Sequence, residues 1–144
     1  MRTDRHNHRL VAADSDTAEA VKVLARAHQN LIWNRTRATN RLRNSLREYY
    51  PGALAAFEDL ASNDALAVLG RAPDPDTGAG LSRAQIRSAL RRGGRQRRLD
   101  ERAAEIQAAL AGPQLHASAQ VSAAFAAVTT SAVTLIAETN RQID

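Results

Sequence analysis

The chain has 144 residues, with 20 Lys or Arg against 15 Asp or Glu, and its formal net charge is +5. It contains no cysteine, which excludes a disulfide framework and thiolate metal sites. The N-terminus has no apolar core of signal-peptide type, and we expect no run approaching the roughly 20 apolar residues that span a bilayer, so the composition predicts a cytoplasmic protein with no membrane contact and with anionic partners.

The candidate core is thin for a chain of this length. Apolar residues make up 44% of the sequence, but much of this is alanine, and aromatic residues make up only 3%. Burial of so little bulky side chain barely offsets the entropy cost of folding. We therefore expect an oligomer or a partner.

The first predicted element is a long basic helix over residues 16–50, preceded by an extended segment over residues 1–15. Asp14, Ser15 or Asp16 can cap the helix, and no proline interrupts the pattern before Pro51. At 1.5 Å per residue the helix is roughly 50 Å long. An apolar stripe for helix pairing is predicted at Leu24, Leu31, Leu42 and Leu46.

The same stripe carries two polar residues. His28 is predicted to be a hydrogen-bonded core residue rather than a metal ligand. Arg35 either extends its guanidinium to solvent or reaches a bound anion, and the sequence does not separate these alternatives.

Residues 51–113 are predicted to form a helical insert. Two short amphipathic helices over residues 53–70 end at Gly70, and the segment "RAPDPDTGAG" is predicted to be a loop. Ser82 and Gln85 have capping-box spacing at the start of a helix that ends at Gly93. A further helix from "RQRRLDERAAEIQAAL" is closed by Gly112 and Pro113.

Residues 114–144 are predicted to form a nearly uncharged closing helix. Val121, Phe125, Val128 and Leu135 recur at helical spacing, although the Val and Thr residues near 128–136 also suit a strand. The overall prediction is an all-α fold, in which a long antiparallel helical hairpin or coiled-coil arm carries a small helical insert.

The sequence offers little catalytic chemistry. Its acidic residues are scattered over helices, caps and loops, and they form no converging set of carboxylates for Mg²⁺. Asp4, His6 and His8 allow a weak metal site, but a solvated terminal segment is the better interpretation. We expect no catalytic residue, no metal ligand and no cofactor in this chain.

Arginine is the prominent functional residue type. Guanidinium groups bind phosphate in bidentate fashion, and the scarcity of aromatic residues favours the backbone of a folded duplex over single-stranded bases. Arginines that merely solvate helix faces are the alternative interpretation. The predicted nucleic-acid-binding residues are Arg37, Arg41, Arg43 and Arg47 on the long helix, and Arg91, Arg92, Arg95, Arg97 and Arg98 in "RRGGRQRR".

Three segments carry a family resemblance. The stretch beginning "RTDRHNHRLVAADSDTAEAVKVLARAHQNLIWNRTRATNRLRNSLREYYPG" is followed in order by "DALAVLGRAPDP" and "LSRAQIRSALRRGGRQRRLDERAAEIQAAL". Together they resemble the middle of the insertion-sequence one-ten transposases of the DEDD class. In that family a RuvC-like domain with four acidic metal ligands precedes a helical coiled-coil region, and a serine-bearing domain follows it.

The resemblance implies a truncated transposase of a mobile element, made of the end of the RuvC-like domain plus the coiled-coil region. We expect it to lack both catalytic sites, to be inactive alone, and to need Mg²⁺ only as part of the full-length protein. The implied partners are DNA, a structured guide RNA, and a second copy or a full-length transposase. The alternative is a stand-alone helical oligomerisation or interaction protein.

Overall fold

The computed structural model describes the backbone of residues 2–112 and 117–144, and the side chains of residues 14–112 and 117–144. Within these ranges the chain is all-α, as predicted, and contains no strand. The helices are α1 (Arg2–Tyr49), α2 (Pro51–Ala56), α3 (Asn63–Arg71), α4 (Pro75–Ala79), α5 (Arg83–Arg92), α6 (Leu99–Leu110) and α7 (Ala119–Ile143).

Helix α1 begins much earlier than predicted. It starts at Arg2, so the expected extended segment over residues 1–15 is wrong for its described part. Asp14 and Asp16 lie inside the helix instead of capping it. The physical reason is that no glycine or proline precedes Pro51, and a helix that is already nucleated continues through residues of ordinary propensity.

Helices α1 and α7 pack antiparallel, which confirms the predicted hairpin. Tyr49 near the end of α1 stacks on Phe125 near the start of α7, with ring centroids 4.2 Å apart. Its hydroxyl contacts the Thr129 hydroxyl and donates toward the Phe125 carbonyl at 3.0 Å. At the other end Arg35 Nη1 donates to Asn140 Oδ1 at 3.0 Å. Arg35 therefore joins the two helices of the hairpin.

Helices α2 to α6 form the insert and supply most of the core. Leu42 and Leu46 of α1 are fully buried against it, together with Leu69, Ile86 and Ile106. The described core is built mainly from leucine and other aliphatic side chains, with Tyr49, Tyr50 and Phe57 as its aromatic residues.

The polar caps of α3 and α5 follow from local sequence. Ser82 Oγ accepts from the Gln85 amide at 3.1 Å, and Gln85 Oε1 accepts from the Ser82 amide at 2.9 Å, so the predicted capping box is confirmed. Ser62 caps α3, but α3 passes through Gly70 and ends at Arg71, so the predicted end at Gly70 is wrong. A glycine inside a helix weakens it without stopping it.

The predicted loop "RAPDPDTGAG" and the predicted start of the next helix both need correction. Pro75–Ala79 forms the short helix α4, because Asp74 caps it through the Thr77 amide at 2.8 Å and Pro75 suits its first turn. Helix α6 begins at Leu99, since Arg98 adopts a left-handed conformation with φ 54°.

Helix α4 lies beside the junction of α1 and α2 in a close contact that requires glycine. Tyr50 is completely buried, and its hydroxyl donates to the Ala72 carbonyl at 3.1 Å. A Cβ placed on Gly78 would lie only 2.0 Å from the Tyr50 hydroxyl oxygen. The Tyr50 ring thus occupies the space that any other residue at 78 would need.

Helix α7 is more apolar than predicted, since the sequence was expected to contain no run that approaches the length needed to span a bilayer. Its most apolar 18-residue window has a mean hydropathy of 1.5, so by length and composition this helix could cross a membrane. A single helix of this kind is weak evidence, because the core helix of a soluble protein passes the same test. Only 17% of that window is buried, which leaves apolar surface on α7 exposed.

Candidate nucleic-acid interface

The second half of α1 exposes a polar face on the side opposite its buried residues. At about 100° per residue, two arginine ridges run along this face with a narrow strip between them. We call it the outer face of α1. Its first ridge is Arg37 and Arg41, its second ridge is Arg43 and Arg47, and its central strip is Trp33, Asn40 and Asn44.

Three of the four ridge arginines are hydrogen-bonded to an asparagine one turn earlier. Arg43 Nη1 donates to Asn40 Oδ1 at 2.9 Å, and Arg47 Nη1 donates to Asn44 Oδ1 at 3.4 Å. Arg37 makes the same contact with Asn34. Residues three apart face each other on a helix, so the repeated Asn-x-x-Arg spacing produces all three pairs.

No carboxylate of the described side chains pairs with the ridge guanidiniums. An asparagine is neutral, so its hydrogen bond restricts the arginine side chain without cancelling the positive charge. Among the residues whose side chains are described, no ion pair involves α1. Fixed, unneutralised guanidiniums are what a phosphate backbone binds.

A polar cavity lies beside the second ridge. Its volume is about 330 Å³, and it separates α1 from the segment that connects α2 and α3. Arg35 and Arg43 line it together with Thr36, Thr39 and Asp59. The cavity extends the basic surface from the ridge toward the insert.

The five arginines predicted in "RRGGRQRR" divide into two groups. Arg91, Arg92 and Arg97 are exposed, and none of them forms an ion pair with a side chain of residues 14–112 or 117–144. Arg92 also lines an open groove of about 690 Å³ between α3, α5 and α7, whose rim includes Arg71 and Arg141. Arg91, Arg92 and Arg97 therefore remain candidates for anion contact.

The other two are bound to carboxylates. Arg95 Nη1 lies 2.6 Å from Asp64 Oδ2 on α3, and both side chains are mostly buried. Arg98 pairs with Glu101 at 2.7 Å, and this hydrogen bond raises the pKa of the exposed Arg98 guanidinium above its ordinary value. Arg95 therefore fixes the turn after α5, and Arg98 is partly neutralised.

The four leucines predicted for helix pairing differ in burial. Leu42 and Leu46 are buried within the chain, in the contacts of α1 with the rest of the fold. Leu31 is half-buried, and Leu24 is 69% exposed. Val21, Leu24, His28 and Leu31 border a shallow apolar depression beside Gln142 at the end of α7. His28 is exposed there, so its predicted place in the core is wrong.

The structure brings no metal-binding group together in the part whose side chains it describes. No set of three His, Asp or Glu residues converges there, and several acids pair with arginine instead, as Asp100 does with Arg87 at 3.4 Å. Asp4, His6 and His8 lie outside the described side chains. The predicted absence of metal ligands and catalytic residues stays a prediction.

The asparagines that bind the ridge arginines were a pattern in the sequence that the predictions did not use. The sequence-based predictions gave Asn34, Asn40 and Asn44 no role. The repetition of Asn three residues before Arg, at 34 and 37, 40 and 43, and 44 and 47, is visible in the sequence and predicts the observed hydrogen bonds.

The stretch of α1 that carries these arginines matches a known protein family. A family model described as a transposase, of the DEDD type of IS110, matches residues 1–51, which include all four ridge arginines. The chain therefore carries IS110-family transposase sequence. The mini-circle transposase for IS117 of Streptomyces coelicolor is 48% identical over 101 residues, or 67% of this chain. The transposase y4uE of Sinorhizobium fredii is 33% identical over 92 residues, or 64% of this chain.

The alignment with each relative covers only part of that relative. The chain spans 24% of the Streptomyces protein and 26% of the Sinorhizobium protein, so it corresponds to about a quarter of their length. No solved structure matches the chain.

Proposed function

We propose that this chain is the nucleic-acid-binding and protomer-pairing helical region of an IS110-type transposase, and that it acts in DNA transposition in the cytoplasm. The observation that carries the proposal is the set of asparagine-bound, unneutralised arginines on the outer face of α1. The family match, which ends at residue 51, includes this surface. Strand cutting is assigned to other parts of the transposase polypeptide.

The ligands are DNA and a structured RNA of guide type, bound chiefly through their phosphate backbones. Arg37, Arg41, Arg43 and Arg47 supply four guanidiniums within about three helical turns. Such contacts carry no base sequence, so they favour shape and charge over sequence readout. The base pairing of a guide strand would then supply the sequence specificity.

Salt-dependent binding tests this part of the proposal. The chain is titrated into a fluorescein-labelled RNA hairpin and a DNA duplex of matched length, and anisotropy is recorded at several salt concentrations. About 6 phosphate contacts predict a log-log slope near −5. If the arginines only confer solubility, affinity disappears by physiological salt. That result would favour the alternative of a stand-alone interaction protein.

Pairing of protomers is supported by unpaired apolar surface on both long helices. On α1, Val21 and Leu24 are exposed, and they continue the stripe that Leu42 and Leu46 bury against the fold. On α7, Val121, Val128 and Leu135 are exposed at intervals of seven residues. A heptad-spaced apolar stripe on an exposed helix is typical of a helix-pairing surface.

The pairing surface is proposed to bind a second copy of this chain or the same region of a longer transposase. The double change Val21→Gln and Leu24→Gln removes apolar surface from the stripe and should weaken the dimer in sedimentation velocity. The control, Lys22→Gln with Arg26→Gln, changes neighbouring positions that turn toward the outer face. Equal association of both variants would contradict the assignment of the stripe.

The assignment of catalysis elsewhere has its own test. The chain is incubated with supercoiled plasmid, a labelled hairpin and Mg²⁺, and strand cutting is followed on denaturing gels. We expect no cutting, because the acids of the described part are scattered or paired with arginine. Mg²⁺-dependent cleavage by the purified chain would overturn this assignment.

A further inference from the structure

The single tryptophan of the chain lies on the outer face of α1, away from the core. Trp33 is 56% exposed, although tryptophan is usually well buried in folded proteins. Its neighbours one turn away along the helix are all polar: Gln29, Asn30, Thr36 and Arg37. An isolated aromatic ring in polar surroundings is unsuited to helix pairing, which needs a continuous apolar stripe.

The two arginine ridges flank the ring's strip of the helix. Arg37 lies one turn beyond Trp33 on one side, about 6 Å along the axis. Arg43 and Arg47 lie on the other side and farther along the axis, about 15 and 21 Å beyond Trp33, with Asn40 and Asn44 between the ridges. A base held over the ring would therefore lie at one end of the two ridges, and the phosphates of the adjoining duplex would run along them.

We infer that Trp33 stacks on one unpaired base of a folded nucleic acid while the flanking ridges hold the phosphates of the adjoining duplex. The inference deepens the proposed function and rests on it. A single aromatic residue offers a platform for only one base, so the ligand is a duplex with a loop or bulge, not a long single strand. The ring would mark where the duplex ends.

Trp33 also supplies its own assay, because no other tryptophan contributes to the emission. The full chain is titrated with an RNA hairpin that has an unpaired purine loop and with a fully paired RNA duplex of equal phosphate number. A hairpin and duplex of DNA form a second pair that separates the two kinds of nucleic acid. Tryptophan emission reports stacking, and the anisotropy of a distant label reports complex formation in the same samples.

The expected result is quenching of Trp33 emission by the hairpin and little quenching by the duplex. Stacking of a base on an aromatic side chain predicts that Trp33→Ala lowers hairpin affinity about 10-fold and leaves duplex affinity within about 2-fold. Trp33→Phe, which keeps an aromatic ring and guards against a folding defect, should retain most of the affinity. Val23→Ala is the matched control, since Val23 is 57% exposed on α1 and belongs neither to the arginine ridges nor to the pairing stripe.

Two outcomes would overturn the inference, and they are distinguishable. If anisotropy shows hairpin binding while Trp33 emission is unchanged and Trp33→Ala binds like the wild type, stacking is wrong and the proposed backbone binding stands. If neither hairpin nor duplex changes the anisotropy at physiological salt, the proposed function fails and the stacking inference falls with it.

Discussion

The asparagine-bound arginines of α1 predict a specific loss of salt sensitivity. The variant carries Arg37→Gln, Arg43→Gln and Arg47→Gln, which removes three guanidiniums that have no acidic partner in the described structure. Each phosphate contact contributes about 0.9 to the log-log salt slope on a duplex, so the slope should fall by about 2.7. Raising the salt concentration from 50 to 200 mM weakens binding in both proteins. The factor by which the affinity of the variant falls should be about 40-fold smaller than the factor for the wild type.

The matched control removes the same charge from arginines that already have carboxylate partners. Arg87, Arg98 and Arg141 are exposed and pair with Asp100, Glu101 and Glu138. Changing these three to Gln should alter the slope by less than about 1, because neutralised guanidiniums displace few counterions. Anisotropy titrations of both triple variants provide the comparison. Equal slopes would show that net charge alone drives binding, and would refute the reasoning from asparagine pairing.

Three further predictions concern the fold. Gly78→Ala forces a Cβ against the buried Tyr50 hydroxyl, so we expect about 1–3 kcal/mol of destabilisation and a melting temperature lower by about 4–10 °C in calorimetry; an unchanged melting temperature would contradict the close contact. Arg95→Gln leaves the mostly buried Asp64 unpaired and should cost about 1.5–3 kcal/mol in urea unfolding, whereas Arg97→Gln should cost less than about 0.5; equal costs would contradict the structural role of Arg95. Burial raises the pKa of Tyr50 above its ordinary value of 10.0, so the unfolded state releases that proton first; the contribution of Tyr50 to stability should be constant below about pH 10 and fall above it by up to about 1.4 kcal/mol per pH unit, and a stability that is flat from pH 9 to 11 would contradict this.

Local signals in the sequence were sufficient for much of the helical framework. The capping box of Ser82 and Gln85 depends only on residues within one turn, and it appears where the sequence placed it. The antiparallel pairing of α1 with α7 followed from the contrast between a basic first helix and a nearly uncharged last helix. The start of α1 was missed because a helix with no breaker needs no packing pattern to continue.

The sequence did not predict in the same way which arginines are paired with carboxylates. Arg95 and Asp64 are 31 residues apart, and only the packing of α3 against α5 brings them together. Arg98 adopts a left-handed backbone conformation, which an arginine in the sequence does not predict. The α1 arginines were predictable because their asparagine partners are three residues away. The side-chain contacts of the candidate interface therefore follow from the sequence only where both partners lie on the same turn of a helix.

The most direct test of the central claim observes the arginine side chains themselves. Nε–H resonances of the chain are assigned by NMR and followed during titration with the RNA hairpin at physiological salt. We expect saturating chemical-shift changes in the Nε–H resonances of Arg37, Arg43 and Arg47. The resonances of Arg87, Arg98 and Arg141 should not shift. Shifts spread evenly over both groups, or confined to the second group, would contradict the claim that the outer face of α1 binds nucleic acid.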